Sequence, residues 1–256
     1  ALIAAKQALS FFPTSSECYA VMGQIHATLG DTIAAKEAFQ QALYLNSNDA
    51  TAQRIFAEFL RDQGDISDAH VHIQRAVKLT PNNISAQQSF ASILDSLGQF
   101  EQASRQRALA HFLIGKEHEV IGKWDQALEE YETASTLWPE NALFPARKGI
   151  LYTKKKLYTE AELFLNQALE MNPNEIEALY GLGILKADTE QRTEAVEYLL
   201  RVLEFEPEHG LAHYALAISY HNLAEKEKAL THLKKAEALG MIVNQELINI
   251  CSSDSF

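Results

Sequence analysis

"GKEHEVIGKWDQALEEYETASTLWPEN" occupies residues 115–141, and "GILYTKKKLYTEAELFLNQALEMNPNE" occupies residues 149–175. Both stretches begin with glycine, carry alanine at the same two inner positions and end just after a proline. The offset between them is 34 residues. Self-similarity at a fixed period of this length is typical of proteins built from repeated helical hairpins.

The same period extends along most of the chain. Pro139, Pro173 and Pro207 are 34 residues apart, and Pro13 and Pro81 are separated by twice that distance. The eighth position of each unit is Gly or Ala, and the twentieth is always Ala. Helices approach closely only where the contact residues are small. We therefore predict an antiparallel helical hairpin in each unit, in which the eighth position faces the twentieth. The units begin near Ser16, Ala50, Ile84, Ala108, Ala142, Ile176 and Gly210.

These positions resemble the tetratricopeptide repeat, which has small residues at positions 8, 20 and 27, aromatic residues at 11 and 24, and proline at 32. The chain departs from this pattern at Ser47, Arg107 and Val202. The resemblance implies an all-α fold, a right-handed superhelical solenoid of about seven 34-residue helix-turn-helix units with terminal capping helices. We expect the last cap to be a helix over Gln245–Ile250.

The repeat is shortened between Pro81 and Pro139, which are ten residues closer than two full periods. The missing residues are the second half of the second helix of the third unit and its turn into the fourth unit. We predict that the flanking helices merge into one long helix over Gln99–Ile121, because the apolar residues keep helical spacing. The alternative is a segment lost from the chain between Arg107 and Ala108. The predicted organisation is an N-terminal lobe at 1–98, the merged helix or missing segment at 99–121, a C-terminal lobe at 122–243, and a capping helix and tail at 244–256.

The chain is acidic, with 22 Lys and Arg residues against 34 Asp and Glu residues and a net charge of −12. This charge repels phosphate groups, so we predict no nucleic-acid partner and no direct membrane insertion. No apolar stretch approaches the roughly 20 residues that span a bilayer. Cys18 and Cys251 have neither the number nor the spacing of a disulfide framework or a zinc site.

The first residues, "ALIAAKQALSFFP" at 1–13, lack a Met and lie within a predicted helix. We therefore expect the sequence to be a piece of a longer protein. The compartment is left open, and a cytoplasmic location is favoured over a periplasmic one because upstream residues are expected to be missing.

The sequence contains no glycine-rich phosphate loop, no GxSxG, no HExxH and no CxxC. We predict that the chain is not an enzyme and that it holds no cofactor and no metal. His70 and His72 lie on different faces of a helix and are interpreted as solvated. The other spaced histidines, which lack a third ligand, are His111, His118, His213 and His221.

The resemblance also implies a concave groove, lined by the first helix of each unit at positions 2, 5, 9, 12 and 13. The groove is polar in the first three units and apolar or aromatic in the last three. The predicted secondary polar groove comprises Arg54, Glu58, Arg61 and Gln88. The predicted peptide-binding residues are Leu143, Ile150, Lys154, Tyr180, Ile184, Leu211, Tyr214, Ile218, His221 and Asn222.

Apolar side chains exposed on a solenoid favour association with a partner. The alternative is that Tyr180 and Tyr214 pack against their neighbours inside a tightly curled second half. The sequence therefore predicts a noncatalytic scaffold that binds a peptide or protein, and its alternative is the substrate-recruiting region of a larger enzyme such as a transferase. A homo-oligomer formed through the end surfaces is a further possibility.

Overall fold

The computed structural model describes residues 2–252, and every regular element in this range is an α-helix. The all-α fold is therefore confirmed. The helices are α1 (Leu2–Phe11), α2 (Ser16–Thr28), α3 (Thr32–Leu45), α4 (Ala50–Asp62), α5 (Ile66–Leu79), α6 (Ile84–Ser96), α7 (Phe100–Val120), α8 (Trp124–Leu137), α9 (Leu143–Lys154), α10 (Tyr158–Met171), α11 (Ile176–Asp188), α12 (Arg192–Phe205), α13 (Gly210–Asn222), α14 (Lys226–Ala238) and α15 (Gln245–Ser252).

The chain divides into two compact units, an N-terminal unit that ends at Trp138 and a C-terminal unit that begins at Pro139. In the N-terminal unit the hairpins are α2 with α3, α4 with α5, α6 with the first half of α7, and the second half of α7 with α8. In the C-terminal unit they are α9 with α10, α11 with α12, and α13 with α14. We call the first helix of each hairpin its A helix and the second its B helix. Within each unit, A helices of successive hairpins also contact each other, as α9 contacts α11.

The small residue at the eighth position fits against a different partner from the one predicted. A Cβ atom on Gly115 would lie 2.5 Å from Cε1 of Tyr131, which is at position 24. A Cβ on Gly149 would lie 2.5 Å from Cγ of Leu165 and 3.0 Å from the carbonyl oxygen of Ala161. The alanine at position 20 therefore brings the backbones together, while the glycine makes room for the large side chain one helical turn further on.

A single helix, α7, spans Phe100–Val120, close to the predicted merged helix. Its first half packs as a B helix, with Ala103 buried beside Leu94 of α6. Its second half packs as an A helix, with the Phe112 ring 5.6 Å from the Tyr131 ring of α8. The helix therefore belongs to two consecutive hairpins.

The division into units differs from the predicted lobes, which end at residue 98 and resume at residue 122. The boundary between the two units in the chain follows Trp138, so α7 belongs to the N-terminal unit. The reason is that α7 has its own hairpin partner. Ala127, Tyr131 and Ala134 of α8 are all fully buried. A helix covered along both halves is a packed element of one unit and not a connection between two.

A short helix, α15, follows the last hairpin at Gln245–Ser252, where the sequence predicts a cap over Gln245–Ile250. Leu247 and Ile248 pack against the core formed by α11 to α14, and Cys251 is buried. Because the last unit of a repeat protein otherwise exposes apolar surface to water, this contact stabilises the end of the stack.

The turn between the A and B helices requires a residue in the left-handed backbone conformation, with positive φ. The two units use different residue types at this position. In the N-terminal unit it is a glycine with positive φ, as in Gly98 and Gly122. In the C-terminal unit it is Lys156, Glu190 or Ala224, with φ of 60°, 63° and 61°. A side chain in this region is strained, because its Cβ lies close to the following carbonyl oxygen.

We predict that Ala224→Gly raises the free energy of unfolding by about 0.5–1 kcal/mol, since it removes this strain at a smaller cost in chain entropy. Chemical denaturation monitored by circular dichroism measures the change. The matched control is Ala217→Gly inside α13, where the same substitution should lower the free energy of unfolding by about 1 kcal/mol. A destabilising effect of Ala224→Gly would contradict the prediction.

Candidate functional site

The apolar residues predicted to bind a peptide lie on α9, α11 and α13, the A helices of the C-terminal unit. Tyr180 and Tyr214 occupy the fifth position of their repeats, and Ile184 and Ile218 occupy the ninth. Because α11 contacts both α9 and α13, equivalent positions of neighbouring repeats lie on adjacent helices. We call the following set the apolar face: Leu143, Ile150, Tyr180, Ile184, Leu211, Tyr214 and Ile218.

The apolar face is part packed and part exposed. Tyr180, Ile184 and Tyr214 are half-buried and pack against the core of α11 to α14. Leu211 and Ile218 have 48% and 36% of their surface exposed. The packed residues fix the position of the face, while the exposed ones leave apolar surface in contact with water.

A small pocket of about 110 Å³ lies between α9 and α11. Gly181 is one of its lining residues, at the sixth position of its repeat. A Cβ there would lie 2.9 Å from Cγ1 of Ile150 and 2.5 Å from Cδ2 of Leu165, so glycine is needed for these two side chains to pack closely against α11. We call it the Gly181 pocket, and its lining residues are Ile150, Thr153, Lys154, Tyr180, Gly181, Ile184 and Asp188.

Two ionisable groups of the Gly181 pocket have shifted pKa values. Burial raises the pKa of the Asp188 carboxyl, and nearby Lys156 opposes this shift. Burial also raises the pKa of Tyr180, and the Arg147 guanidinium opposes it. Arg147 itself donates from Nη2 to Oε1 of Glu177 at 3.1 Å. The pocket therefore combines apolar walls with a carboxylate at its exposed edge.

The polar residues predicted to anchor a partner differ in their surroundings. Lys154 lines the Gly181 pocket and is exposed, and Asn222 is exposed at the end of α13. His221 lies with its Nδ1 3.7 Å from Sγ of Cys251 in α15. The capping helix thus contacts one of the predicted anchors, a contact that the repeat pattern does not indicate.

The predicted polar groove is internally paired. Arg54 Nη1 lies 2.6 Å from Oε1 of Glu58, and that same oxygen accepts from Oγ of Ser89. Arg61 Nη1 donates to Oγ of Ser92 at 3.0 Å, and Arg61 also forms an ion pair with its neighbour Asp62 at 2.6 Å. These contacts connect α4 to α6 and leave little unbalanced charge on this surface.

Gln88, the fourth predicted residue of the polar groove, lies in a separate pocket of about 220 Å³. It shares this pocket with Arg107, which forms an ion pair with Asp95 of α6. His111 also lines it, with Nδ1 2.6 Å from Oε2 of Glu130. The structure therefore does not bring Arg54, Glu58, Arg61 and Gln88 together as one pocket.

The interpretation of His72 as a solvated side chain is wrong. Its Nδ1 lies 2.7 Å from Oε1 of Gln53, whose Nε2 donates to the carbonyl oxygen of Ser47 at 2.9 Å. Burial lowers the pKa of His72, opposed by Asp68. The reason is that residues 19 apart face each other across a hairpin, which a pattern confined to one helix does not show.

The same arrangement recurs in the last hairpin. His213 Nε2 lies 3.0 Å from the carbonyl oxygen of Pro207, and its Nδ1 lies 2.9 Å from Nδ1 of His232. His232 also stacks on the ring of Tyr220, with ring centroids 5.6 Å apart. His213 and His221, which the sequence groups together, therefore have separate partners. In both hairpins a polar residue at position 4 of the repeat contacts a polar residue 19 positions later. This spacing in the sequence would have indicated the contact.

Within residues 2–252, no three His, Cys, Asp or Glu side chains are grouped as ligands for a metal ion. Among the helices of the same range, none has the length and apolar character needed to cross a membrane. These helices and their stacked hairpins define a helical-repeat protein.

Three family models, each described as tetratricopeptide repeat (TPR), match residues 16–49, 122–185 and 180–241. Together they span more than half of the chain, which therefore belongs to the TPR family. Members of this family are protein-interaction scaffolds and are typically noncatalytic. No curated protein matches the chain in sequence.

The chain is similar to several solved structures, one of which, with a TM-score of 0.54, shows the same fold. A chain of the APC/C hetero-tetramer Cut9–Hcn1 matches with a TM-score of 0.54 and 17% identity, over 98% of this chain and 52% of that chain. This protein therefore spans about half the length of that relative. YrrB, described as a TPR protein with an unusual peptide-binding site, matches with a TM-score of 0.40 and 24% identity, over 80% of this chain and 93% of its own. MamA matches with a TM-score of 0.40 and 17% identity, over 72% and 94%.

Proposed function

We propose that the protein is a noncatalytic scaffold that binds a peptide segment of a partner protein on the apolar face. The observation that carries the proposal is the exposure of Leu211 and Ile218 on α13, beside half-buried Tyr180 and Tyr214. Apolar side chains that remain in water at helical spacing contribute to association when a partner covers them.

Two further features support the apolar face over the polar groove. The charged residues of the polar groove already form ion pairs with each other, as Arg54 does with Glu58. A partner that replaced such a pair would lose as much as it gained. The apolar face has rigid aromatic residues held by the core, and such residues lose little side-chain entropy on binding.

The test is to select linear peptides from a phage-displayed random library on the full chain and to measure binding of the selected peptides by fluorescence anisotropy. We expect Leu211→Ser combined with Ile218→Ser to weaken binding by about tenfold or more, because two apolar contacts are lost. Both positions are exposed, so thermal unfolding should change little.

The matched control is Leu163→Ser combined with Leu200→Ser. These residues are also exposed, at 65% and 39%, but they lie on the B helices α10 and α12. The control should bind the selected peptides as the natural sequence does. Equal losses in both variants, or no peptide selected at all, would reject the apolar face as the binding site.

A further inference from the structure

The size of the Gly181 pocket limits what can occupy it. Its volume is about 110 Å³. An engineered protein cavity of about 150 Å³ accepts benzene, so a smaller pocket excludes an aromatic ring but admits a branched or linear aliphatic side chain. Ile150 and Ile184 supply apolar walls, and Gly181 lets the Ile150 side chain pack closely against α11.

Charged groups of both signs lie beside this pocket. Within residues 2–252, Asp188 forms no direct ion pair or hydrogen bond, and the charge of Lys156 acts on it at longer range. Lys154, the other charged lining residue, already interacts within the protein. The whole chain carries a net charge of −12, so its field attracts cationic groups.

We propose that the Gly181 pocket binds one aliphatic side chain of a peptide segment, and that Asp188 pairs with a Lys or Arg residue next to it. The inference rests on the proposed function, because it names the chemistry of the peptide that the apolar face would bind. Tyr180 also lines the pocket, and its ring packs against His209 with the ring centroids 5.3 Å apart.

The experiment uses the peptides selected on the full chain. For one of them, the side chain at each position is varied in turn among alanine, leucine, isoleucine and phenylalanine. We expect one position where leucine or isoleucine binds about tenfold more tightly than alanine and also more tightly than phenylalanine. We also expect a neighbouring position where lysine or arginine is preferred.

Ile184→Phe tests whether the Gly181 pocket causes this preference, because the larger side chain at the pocket wall would fill the pocket. In this variant the preference for leucine over alanine should disappear. The matched control is Ile218→Phe, the same substitution at the same repeat position in the next hairpin, which does not line the pocket. It should retain the preference, whatever its overall affinity.

Asp188→Asn tests the charged part separately, and it should remove the preference for lysine or arginine while leaving the aliphatic preference unchanged. Where Ile184→Phe lowers the thermal stability, Ile150→Phe fills the pocket from the opposite wall and serves in its place. If the selected peptides show no aliphatic preference, or keep it in both Ile184→Phe and Ile150→Phe, the proposed role of the Gly181 pocket is overturned but the proposed function is not. Failure to select any peptide overturns both.

Discussion

Gly115→Ala is expected to lower the free energy of unfolding by about 2 kcal/mol. An added Cβ would lie 2.5 Å from Cε1 of Tyr131, much closer than two carbon atoms can approach. The Tyr131 ring cannot move away easily, because it is fully buried and its hydroxyl donates to Oε2 of Glu119 at 3.0 Å. The strain should exceed the gain of about 1 kcal/mol that alanine brings to a helix interior.

A smaller side chain at position 24 should rescue this variant. In the last hairpin, Ala217 at position 8 coexists with Leu233 at position 24, and both are fully buried. Leucine at position 24 would still meet a Cβ at position 8 in the α9–α10 hairpin, so the smaller alanine of Tyr131→Ala is used, and Gly115→Ala should cost much less in the Tyr131→Ala background than in the natural one. A double-mutant cycle from chemical denaturation measures the difference. Equal costs in both backgrounds would show that the glycine is needed for another reason.

The arrangement of hairpins follows from the sequence because a fixed period determines it. Position 8 is small and position 20 is alanine in every unit, and these two constraints predict both helices of each hairpin. The merged helix α7 follows from the same count, since ten missing residues leave no turn between two helices. Regular spacing therefore predicts which segments are helical and which helices pair.

The contacts within each hairpin depend on side chains that the repeat pattern leaves variable. Gln53 and His72 are 19 residues apart, and only the packed hairpin shows that they meet. Arg54 and Glu58 were predicted to face a ligand, but in the structure their side chains form an ion pair with each other. The close packing of Ile150 and Leu165 against Gly181 depends on a missing side chain, which the hydrophobic period of the sequence does not indicate.

The half-buried state of Tyr180 and Tyr214 answers a question that the sequence leaves open. A binding face and internal packing were alternatives, and the structure shows that the tyrosines pack against the core while Leu211 and Ile218 remain exposed. Alanine at either tyrosine would therefore change stability as well as binding. The exposed pair on α13 separates the two effects, which is why the binding test uses it.

Acidification is expected to destabilise the C-terminal unit through the pair formed by His213 and His232. Burial, together with the neighbouring His213, lowers the pKa of His232 to about 4 from its usual 6.5. The lowered pKa means that the folded chain binds fewer protons than the unfolded chain between these two values. Stability from this group is thus present above about pH 6.5 and is lost as the pH falls towards about 4.

The size of the effect is moderated by solvent, because His232 is only half-buried. After allowance for this screening, we expect a loss of about 1–2 kcal/mol across the window. The hydrogen bonds give the structural reason. His213 Nε2 donates to the carbonyl oxygen of Pro207, so its Nδ1 must accept from Nδ1 of His232. In this arrangement, burial and the neighbouring His213 ring both disfavour a positive charge on His232.

His213→Gln tests this account with a side chain that the protein already uses at the same repeat position. Gln53 donates to the carbonyl oxygen of Ser47 and accepts from His72, so glutamine at position 213 can replace both bonds of the histidine. Because an amide oxygen accepts more strongly from a charged imidazole than from a neutral one, and the second imidazole beside His232 is gone, the variant should lose less stability on acidification. Denaturation at about pH 7 and about pH 5 compares the two proteins. The same loss in both would exclude the histidine pair as the cause, whereas a smaller loss in the variant would locate the acid sensitivity of the last hairpin in this contact.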